Sequence, residues 1–540
     1  MDSSFAAEHR EVLRLMKAQD WRAARAASER LTIRHPQFAD GWLAASRIAL
    51  ALKDPLAALR AVDRALQIAP TNPFYHLHRA QCFLGLSQRA DALNAAQAAD
   101  RLAGADPSLW NAIGTLRSFA FDQWGALAAY DRAVALAPQE PQFVYNRASV
   151  RRFVGDLAGA EADYDRAIAL RRLDFEAYVN RSELRVQSAD RNHIAELEAL
   201  LPDALRDWRG EVQIRYALAK EYEDLGEHAR SLEHLKSGAR KRREHMAYDV
   251  AIDVATVGWI IDAYPVAPEA GRAVSPSGAD AGSAERGTLG APMGFPIFIV
   301  GLPRSGSSLI DRILSSHSRV SSAGELDCFA LALTDAARRR AGREHIPRQE
   351  LVAISATLDF PALGEDYLRR ARAVSGASGC FIDKMPLNYL YCGLIHCALP
   401  HARIIHVFRH PMAACYAMYK TLFKAGYPFS YDLGEIAQYY AAYRRLMDHW
   451  RAKFPDAIYD LSYESLIGDQ RGETRKLLEY CDLEWEDGCV AFSQNPAPIT
   501  TASASQVRRP LYDSAVSQWR HYEPQLTELK AGLEAQGING

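Results

Sequence analysis

The sequence predicts two structural classes in one chain: an all-helical repeat array, followed by an α/β domain built on a parallel sheet. Three observations predict this order. Alanine, proline and aromatic residues recur every 34 residues in the first part of the chain. A stretch rich in Ala, Gly, Ser and Pro at residues 265–294 then ends that periodicity. Beyond it, short apolar runs alternate with helical patterns, as is typical of α/β proteins.

The 34-residue period holds in several positions at once. One series of alanines comprises Ala24, Ala58, Ala92, Ala126 and Ala160, and a second comprises Ala65, Ala99, Ala133 and Ala167. The same spacing relates Pro36, Pro70 and Pro138, and aromatic residues recur at or beside one position: Trp42, Tyr75, Trp110, Tyr145 and Tyr178. Each period contains two amphipathic stretches, such as residues 40–53 and 55–68, which predict paired helices. We expect the alanines to lie where these helices cross closely.

This pattern resembles the tetratricopeptide repeat in both period and residue types. It is strongest over residues 33–170 and weaker over residues 5–32, and a similar final pair of helices is expected at residues 212–243. Such arrays stack into a superhelix that binds peptides or proteins on its concave face. The resemblance therefore implies a protein or peptide partner for the array.

Composition excludes several broad classes. The 64 Lys and Arg residues balance 66 Asp and Glu residues, for a net charge of -2, so no chain-wide nucleic-acid surface is indicated. No apolar run is long enough to span a bilayer, and the first residues show no signal peptide. The eight cysteines form no CxxC pair and favour reduced thiols. We expect a cytoplasmic protein with no nucleic-acid partner and no membrane span.

The second half predicts buried parallel strands at residues 297–300, 380–382, 404–408 and 457–460, because these apolar runs lack alternation. With helices between them, they predict a three-layer α/β domain. The expected domain limits are residues 1–250 for the array, 251–293 for a connecting helix and linker, and 294–540 for the α/β domain.

The most informative segment joins a predicted strand, a Gly/Ser loop and an amphipathic helix at residues 298–314. This order directs backbone N–H groups and the positive end of the helix toward an anion. Residues 301–308 follow the outline of a nucleotide P-loop, but Ser307 occupies the place of its lysine. Because that lysine steadies a triphosphate, an ordinary ATPase or GTPase is disfavoured. Arg304 is the cation of this loop, which suits a 5′-phosphate that carries a different transferable group.

The run 303–309 resembles the 5′-phosphosulfate loop of sulfotransferases that use 3′-phosphoadenosine-5′-phosphosulfate (PAPS). Its Pro-Arg-Ser-Gly form is similar to tyrosylprotein sulfotransferases and to bacterial tetratricopeptide-repeat sulfotransferases. The resemblance implies a P-loop-like sulfotransferase fold, PAPS as co-substrate and 3′,5′-ADP (PAP) as product. The cofactor-binding residues that it implies in this loop are Arg304, Ser305, Gly306, Ser307, Ser308 and Leu309.

A second motif, the strand 405–408 followed by Arg409, His410 and Pro411, resembles the 3′-phosphate motif of the same family. The resemblance implies that Arg409 binds the 3′-phosphate, and a planar guanidinium suits that group. His410 replaces the Asp of the motif, and Ala417 stands where it has a Ser. The missing hydroxyl could be supplied by Tyr416 or Tyr419.

The resemblance also implies catalytic residues. Glu325, in a Gly-Glu pair, would be the base that takes the proton of an acceptor hydroxyl. Lys384, in Asp-Lys-Met-Pro, would neutralise charge on the sulfuryl group and the leaving phosphate. No metal is expected if Arg304 and Lys384 supply the positive charge. His317 is the main alternative base, whereas His406, in an apolar strand, is expected to be a core residue.

Two further segments carry the resemblance. Residues 503–510 are similar to a Ser-x-x-Gln-Val-x-Lys/Arg-Pro segment, in which Ser503 would donate to the leaving phosphate and Arg509 would bind the nucleotide. Tyr463, in a Tyr-Glu pair, would lie near the nucleotide.

Three functions follow as hypotheses. The first is transfer of a sulfuryl group from PAPS to a hydroxyl, with protein tyrosine as the best-motivated acceptor and carbohydrate or small-molecule hydroxyls still open. The second is a non-catalytic scaffold with a degenerate nucleotide domain, favoured by Ala417. The third is a P-loop kinase or NTPase, disfavoured by Ser307.

Overall fold

The computed structural model describes residues 3–265, 294–377, 379–501, 504–509, 511 and 514–539. The chain divides into two compact units. The first comprises Met1–Leu184, Ala373–Gly376 and Pro496–Ile499, and the second comprises Arg185–Arg372, Ala377–Asn495 and Thr500–Gly540.

The first unit is an array of paired helices. Its helices are α1 (Ser3–Lys17), α2 (Trp21–Arg34), α3 (Ala39–Ala51), α4 (Pro55–Ile68), α5 (Pro73–Gly85), α6 (Arg89–Leu102), α7 (Pro107–Phe119), α8 (Gln123–Leu136), α9 (Pro141–Val154), α10 (Leu157–Leu170) and α11 (Phe175–Ser182). The repeating alanines lie on the second helix of each pair, and every member of both series has 0% exposure. The prediction that they form the repeat core is confirmed.

The turns inside the pairs also repeat every 34 residues. The residue at positive φ in each turn is Gln19, Lys53, Ser87, Phe121 or Gly155. The next residue is an Asp in four of the five turns, and its carboxylate accepts the N–H three residues on: Asp20, Asp54, Asp122 and Asp156. Gln88 holds this position in the remaining turn without a capping bond. These caps satisfy N–H groups at the helix start and fix where each second helix begins.

A second repeated bond accounts for three of the five residues in the aromatic series, Trp42, Trp110 and Tyr178. A side chain early in the first helix reaches back six residues to a carbonyl: Trp42 to Pro36 (2.9 Å), His76 to Pro70 (2.7 Å), Trp110 to Gly104 (3.0 Å) and Tyr178 to Arg172 (3.1 Å). In the second period this residue is His76, whereas the neighbouring Tyr75 is buried and donates to Asp40 at 2.7 Å. This bond therefore fixes four of the five equivalent connections. In the remaining one the position is held by Val144, and the neighbouring Tyr145 hydroxyl accepts a bond from Asn180 at 2.9 Å.

The second unit surrounds a five-stranded parallel sheet with helices. Its strands are β1 (Pro296–Gly301), β2 (Val320–Ser322), β3 (Cys380–Asp383), β4 (Arg403–Phe408) and β5 (Ile458–Ser462), in the order β2-β3-β1-β4-β5. Its helices are α12 (Ile194–Ala204), α13 (Trp208–Asp224), α14 (His228–Glu244), α15 (Val250–Ala263), α16 (Ser307–Leu314), α17 (Cys328–Ala341), α18 (Arg348–Ser355), α19 (Phe360–Ser375), α20 (Cys392–Ala398), α21 (Pro411–Tyr419), α22 (Leu433–Lys453), α23 (Tyr463–Gly468), α24 (Gln470–Tyr480), α25 (Ser514–Ser517) and α26 (Thr527–Ala535).

The predicted fold class is confirmed: a helical array precedes an α/β domain with a parallel sheet. The four predicted strands are present, and the short β2 is an addition. The predicted final pair corresponds to α13 and α14, which pack within the second unit. In the part of the chain that the structure describes, no helix has the length and apolarity to cross a bilayer.

Within the second unit, charged side chains join α13 and α14 to the segments that follow the sheet strands. Glu223 of α13 binds Lys420 Nζ at 2.6 Å and accepts a bond from Tyr416 OH at 2.6 Å. Arg243 of α14 forms an ion pair with Glu435 of α22 at 2.6 Å. The predicted limits of the functional domains, 1–250 and 294–540, stay a prediction.

Candidate active site

The candidate site lies at the carboxyl edge of the sheet, where β1 and β4 run side by side. Gly301, the last residue of β1, pairs in register with Val407 of β4. From β1 the chain continues to β2 and β3 on one side, and β4 and β5 lie on the other. The connections from neighbouring strands therefore diverge there, which is the usual position of a ligand crevice in open α/β sheets.

The loop from β1 to α16 needs its glycines. A Cβ on Gly301, at φ +143, would lie 2.3 Å from the carbonyl oxygen of Val407. A Cβ on Gly306, at φ +106, would lie 2.5 Å from a ring carbon of Tyr463. Arg304 also has a positive φ, of 67°, which is uncommon for a residue with a side chain. The loop is therefore a tight cradle closed on one side by the Tyr463 ring.

The predicted loop residues surround this cradle. Ser305, Ser307 and Leu309 are buried, and α16 begins at Ser307. The first N–H groups of a helix have no intrahelical acceptor, so the start of α16 can donate to an anion. Arg304 donates from Nη2 to Gln506 Oε1 at 2.7 Å, and the Ser308 hydroxyl lies 3.2 Å from that of Thr501. These contacts bring the loop and the segment after residue 500 together.

Glu325 and Lys384 meet although they come from different segments. Lys384 Nζ donates to Glu325 Oε1 in a close ion pair. The side chain of Lys384 is 1% exposed, whereas that of Glu325 is 46% exposed. Backbone bonds hold the two segments: Lys384 N donates to Gly324 O at 2.8 Å and Ala323 N to Ile382 O at 2.9 Å. A buried ammonium and an accessible carboxylate therefore lie together beyond the end of β3.

Two carboxyl groups near Lys384, those of the buried Asp383 and the partly buried Asp311, were missed by the sequence analysis. Asp383 is fully buried and accepts a hydrogen bond from Tyr367 OH at 3.0 Å. Burial raises its pKa to about 7, against the opposing effects of Tyr367 and Lys384. Burial likewise raises the pKa of Asp311 on α16, and Lys384 opposes that shift as well. In the sequence, only its position next to Lys384 could have placed Asp383 at the candidate site. No pattern pointed to Asp311.

Arg409 and Tyr463 form the other end of the crevice. Arg409 follows β4 and is buried, with its guanidinium 5.0 Å from the centre of the Tyr463 ring. Its Nε lies 4.0 Å from Glu464 Oε1, and the backbone N–H of His410 donates to the same oxygen at 3.0 Å. Burial lowers the pKa of His410, whose ring stacks on Trp519. Tyr463 therefore lies against both the loop between β1 and α16 and Arg409.

The hydroxyl missing at Ala417 is not replaced by Tyr416. Ala417 is buried in α21, and the Tyr416 hydroxyl donates to Glu223 at 2.6 Å. Tyr419 is buried as well, and its carbonyl accepts a bond from Tyr216 at 3.3 Å. Ala417 has no side-chain donor. The phenol of Tyr416 does not take its place, because it donates to Glu223 of α13.

The segment after residue 500 is described in part, and Ser503 lies outside the described residues. Arg509 is half-buried, and its N–H donates to the carbonyl of Gln506 at 3.2 Å. Gln506 in turn binds Arg304. The turn that carries Arg509 is therefore attached to the phosphate loop through Gln506.

The ring nitrogens of His317 and His406 are engaged in contacts within the protein. His317 is buried, its Nε2 contacts the carbonyl of Glu484 at 3.0 Å, and its Nδ1 accepts the N–H of Arg319 at 3.1 Å. Both ring nitrogens are therefore engaged, whereas the Glu325 side chain is 46% exposed. His406 is buried between Asp460, at 2.6 Å, and Tyr443, as expected of a core residue. Among the described residues, no group of three or more His, Cys, Asp or Glu side chains is arranged to hold a metal ion.

Comparison with known proteins shows what the sheet-bearing part of the chain is similar to. The sequence profile of the sulfotransferase family matches residues 296–487. An uncharacterized protein of Aquifex aeolicus (strain VF5) is 35% identical over 245 residues, which are 44% of this chain and 32% of that protein. This chain thus spans about a third of the length of that relative.

Two solved structures are similar in part. The sulfotransferase domain from the Curacin biosynthetic pathway is 15% identical, with 45% of this chain and 99% of that chain covered and a TM-score of 0.31. A thermophilic TPR protein of Thermus thermophilus is 19% identical, with 33% and 97% covered and a TM-score of 0.28. The profile match falls on the unit that contains the parallel sheet, and the array of paired helices precedes it in the chain.

Proposed function

We propose that the protein transfers a sulfuryl group from PAPS to a hydroxyl-bearing acceptor. One observation carries the proposal: the Lys384–Glu325 pair follows β3, the strand that neighbours the phosphate-loop strand β1 in the sheet. A phosphate cradle alone would fit many nucleotide-binding proteins. A buried cation beside an accessible carboxylate adds the two groups that sulfuryl transfer to a hydroxyl requires.

The residues present fit a nucleotide with anionic groups at both ends. The loop with Arg304 and the start of α16 would hold the 5′-phosphosulfate, and Arg409 would hold the 3′-phosphate. Tyr463 touches both places, since its ring contacts Gly306 and lies beside the Arg409 guanidinium. The cradle at Gly306 would be filled by a single Cβ, which explains the glycine there. PAPS, when bound, supplies an activated sulfuryl group, so that R–OH becomes R–O–SO₃⁻ with release of PAP and a proton.

Each residue then has a distinct task. Glu325 takes the hydroxyl proton of the acceptor, for which its exposed carboxylate is accessible. Lys384 places positive charge beside the leaving phosphate, together with Arg304. Ser305, Ser307, Ser308 and Arg509 orient the nucleotide, and Ser503 would donate to the leaving oxygen. Positioning and charge stabilisation of this kind account for most of the catalysis in the analogous phosphoryl transfer.

The proposal also assigns separate roles to the two domains. Residues 294–540 carry the chemistry, and residues 1–250 recruit a protein or peptide, with residues 251–293 between them. Protein tyrosine is the acceptor we favour, because a recruited polypeptide would present a hydroxyl to Glu325.

The testing experiment measures thermal stability with and without PAP, in EDTA, for the wild type and the double variant Arg304→Ala/Arg409→Ala. A ligand at about 100 times its Kd adds roughly 2.7 kcal/mol to the folded state. We expect that stabilisation in the wild type and its loss in the double variant. Arg340→Ala, an exposed arginine on α17, is the matched control and should respond like the wild type.

A second candidate is favoured by Ala417, which leaves the 3′-phosphate motif without its hydroxyl: a scaffold with a degenerate nucleotide domain. No stabilisation of the wild type at saturating PAP would support this scaffold and refute the sulfotransferase. A response to ATP with Mg²⁺, but none to PAP, would instead indicate a kinase or NTPase.

A further inference from the structure

Three large aromatic side chains lie exposed around the turn that joins α7 and α8. Phe119 is 72% exposed, Trp124 is 56% exposed and Phe121 is 38% exposed. Exposed apolar residues scattered singly over a surface are ordinary, but these three fall within a span of six residues. Aromatic side chains gathered at one place on a surface are typical of sites that bind a partner.

The other repeats show that the fold does not require aromatic residues at these positions. Because the array repeats every 34 residues, each position has an equivalent in the neighbouring helix pairs. The equivalents of the three aromatic residues are Ala51, Lys53 and Leu56 in one pair, Gly85, Ser87 and Ala90 in the next, and Phe153, Gly155 and Ala158 in the pair that follows α7 and α8. The same helix–turn–helix geometry therefore forms with none of these three positions aromatic.

Phe121 also has a backbone conformation that disfavours a large side chain. Its φ is 58°, in the left-handed region, and the equivalent residue of the following repeat is Gly155. Glycine adopts this conformation without strain, whereas a bulky residue there is an outlier. The Phe121 ring lies 5.6 Å from the guanidinium of Arg89. A strained aromatic residue that stays partly exposed indicates that its side chain is retained for a role other than stability.

The next repeat shows which kind of chain binds beside the equivalent turn. Residues Pro496–Ile499, with the sequence Pro-Ala-Pro-Ile, belong to the first unit and lie in no helix or strand. Two prolines in four residues favour an extended chain. The N–H of Ile499 donates to the carbonyl of Phe153 at 3.0 Å. Phe153 is the equivalent of Phe119, so a proline-containing segment is bound one repeat away from the exposed aromatic residues.

The turn between α7 and α8 offers the same acceptor together with aromatic rings. Among the described residues, none donates a hydrogen bond to the carbonyl of Phe119. Proline-rich segments dock on exposed aromatic side chains, and they lose little entropy because they are extended before they bind.

We propose that Phe119, Phe121 and Trp124 form a docking site for an extended, proline-containing segment of a partner protein. The docking site rests on the recruiting role proposed for the array, and it is independent of the sulfuryl transfer proposed for the second domain. Its test therefore uses a peptide rather than a nucleotide.

The test uses the full chain and a fluorescent peptide with two tandem copies of Asn-Pro-Ala-Pro-Ile-Thr, the sequence of residues 495–500. Fluorescence anisotropy measures its affinity. We expect the wild type to bind this peptide, and to bind a version with alanine in place of proline at least about tenfold more weakly. Trp124→Ala should also weaken binding by at least about tenfold. Leu56→Ala is the matched control, because Leu56 is the equivalent of Trp124 and equally exposed, and it should bind like the wild type.

Stability distinguishes a docking role from a structural one. The triple variant Phe119→Ala/Phe121→Gly/Trp124→Ala has residue types that other repeats carry at these positions. It should unfold at the same or a higher temperature than the wild type, because Phe121→Gly removes a strained φ. It should bind no peptide, and its stabilisation by PAP should equal that of the wild type.

Docking at this turn is refuted if the wild type does not bind the peptide or binds the proline-free version equally well. It is also refuted if the triple variant keeps the affinity, or if it loses stability, since the aromatic residues would then serve the fold. Wild-type dimers in light scattering that the triple variant abolishes would assign the site to a second copy instead. A wild type that binds the peptide but shows no response to PAP would refute the sulfuryl transfer and support the docking site.

Discussion

The ion pair between Lys384 and Glu325 makes an asymmetric prediction about stability. Its two partners differ in burial: the Lys384 side chain is 1% exposed and that of Glu325 is 46% exposed. Replacing Glu325 with Ala leaves a buried ammonium without its contact partner. Replacing Lys384 with Met leaves a carboxylate that water can hydrate. We therefore expect Glu325→Ala to destabilise the protein more than Lys384→Met.

The magnitude follows from the surroundings. Breaking a fully buried ion pair by removing one partner costs about 3–5 kcal/mol. Because Glu325 is half exposed, and because Asp383, with a pKa of about 7, can ionise to replace part of its charge, we expect about 1–3 kcal/mol for Glu325→Ala. Lys384→Met should cost less than about 1 kcal/mol, since the methionine stem fills the same space. Glu325→Gln, which keeps an acceptor for Lys384, should lie between the two.

The assay is denaturant unfolding of each variant, followed by turnover with PAPS and a hydroxyl acceptor. All three variants should lose about 10²–10⁴ in rate, because each removes either the base or its charge partner. Stability and activity therefore separate: Glu325→Gln should lose less stability than Glu325→Ala but as much activity. If Glu325→Ala and Lys384→Met destabilised the protein equally, the burial asymmetry would not govern the pair. If Glu325→Gln kept full activity, Glu325 would not be the base.

Four further outcomes are expected. A fragment of residues 294–540 should be unstable, whereas residues 185–540 should unfold cooperatively, because the shorter fragment lacks Glu223 and leaves Lys420 without this carboxylate; limited proteolysis of both fragments checks this. Gly306→Ala should abolish PAP binding, since its Cβ would lie 2.5 Å from the Tyr463 ring, and retained affinity would contradict the cradle. Ala417→Ser should tighten PAP binding by up to about tenfold, the value of one added hydrogen bond, as measured by calorimetry. Finally, the pKa of Asp383 is raised from 3.8 to about 7 in the folded protein, so folding binds a proton between these values and stability falls as pH rises. Asp383→Asn should remove that loss, worth up to about 4 kcal/mol at pH 8, and equal pH slopes in urea unfolding would contradict it.

Local patterns made much of the fold predictable. The 34-residue series of alanines marked the buried face of each second helix, and four of the five strands were evident as apolar runs. The strand β2 was missed because only Val320 of its three residues is buried, so it has no apolar run. The aromatic series was correct as a repeat, but in the second period the bonding residue is His76 rather than Tyr75, and in the fourth the position is held by Val144 rather than Tyr145. Sequence spacing cannot separate neighbouring positions that differ only in the direction of the side chain.

Patterns along the sequence were sufficient for the order of the two structural classes, and they proposed the loop after β1 and the candidate residues Arg304, Glu325, Lys384 and Arg409. These features are carried by spacing along one segment, and helices, strand ends and tight turns depend mainly on such short-range constraints. Only the tertiary structure decided which charges meet: Lys384 with Glu325, Glu223 with Lys420, and Asp383 with Tyr367. Partners brought together from distant segments depend on how the helices and the sheet pack, and burial then sets their protonation.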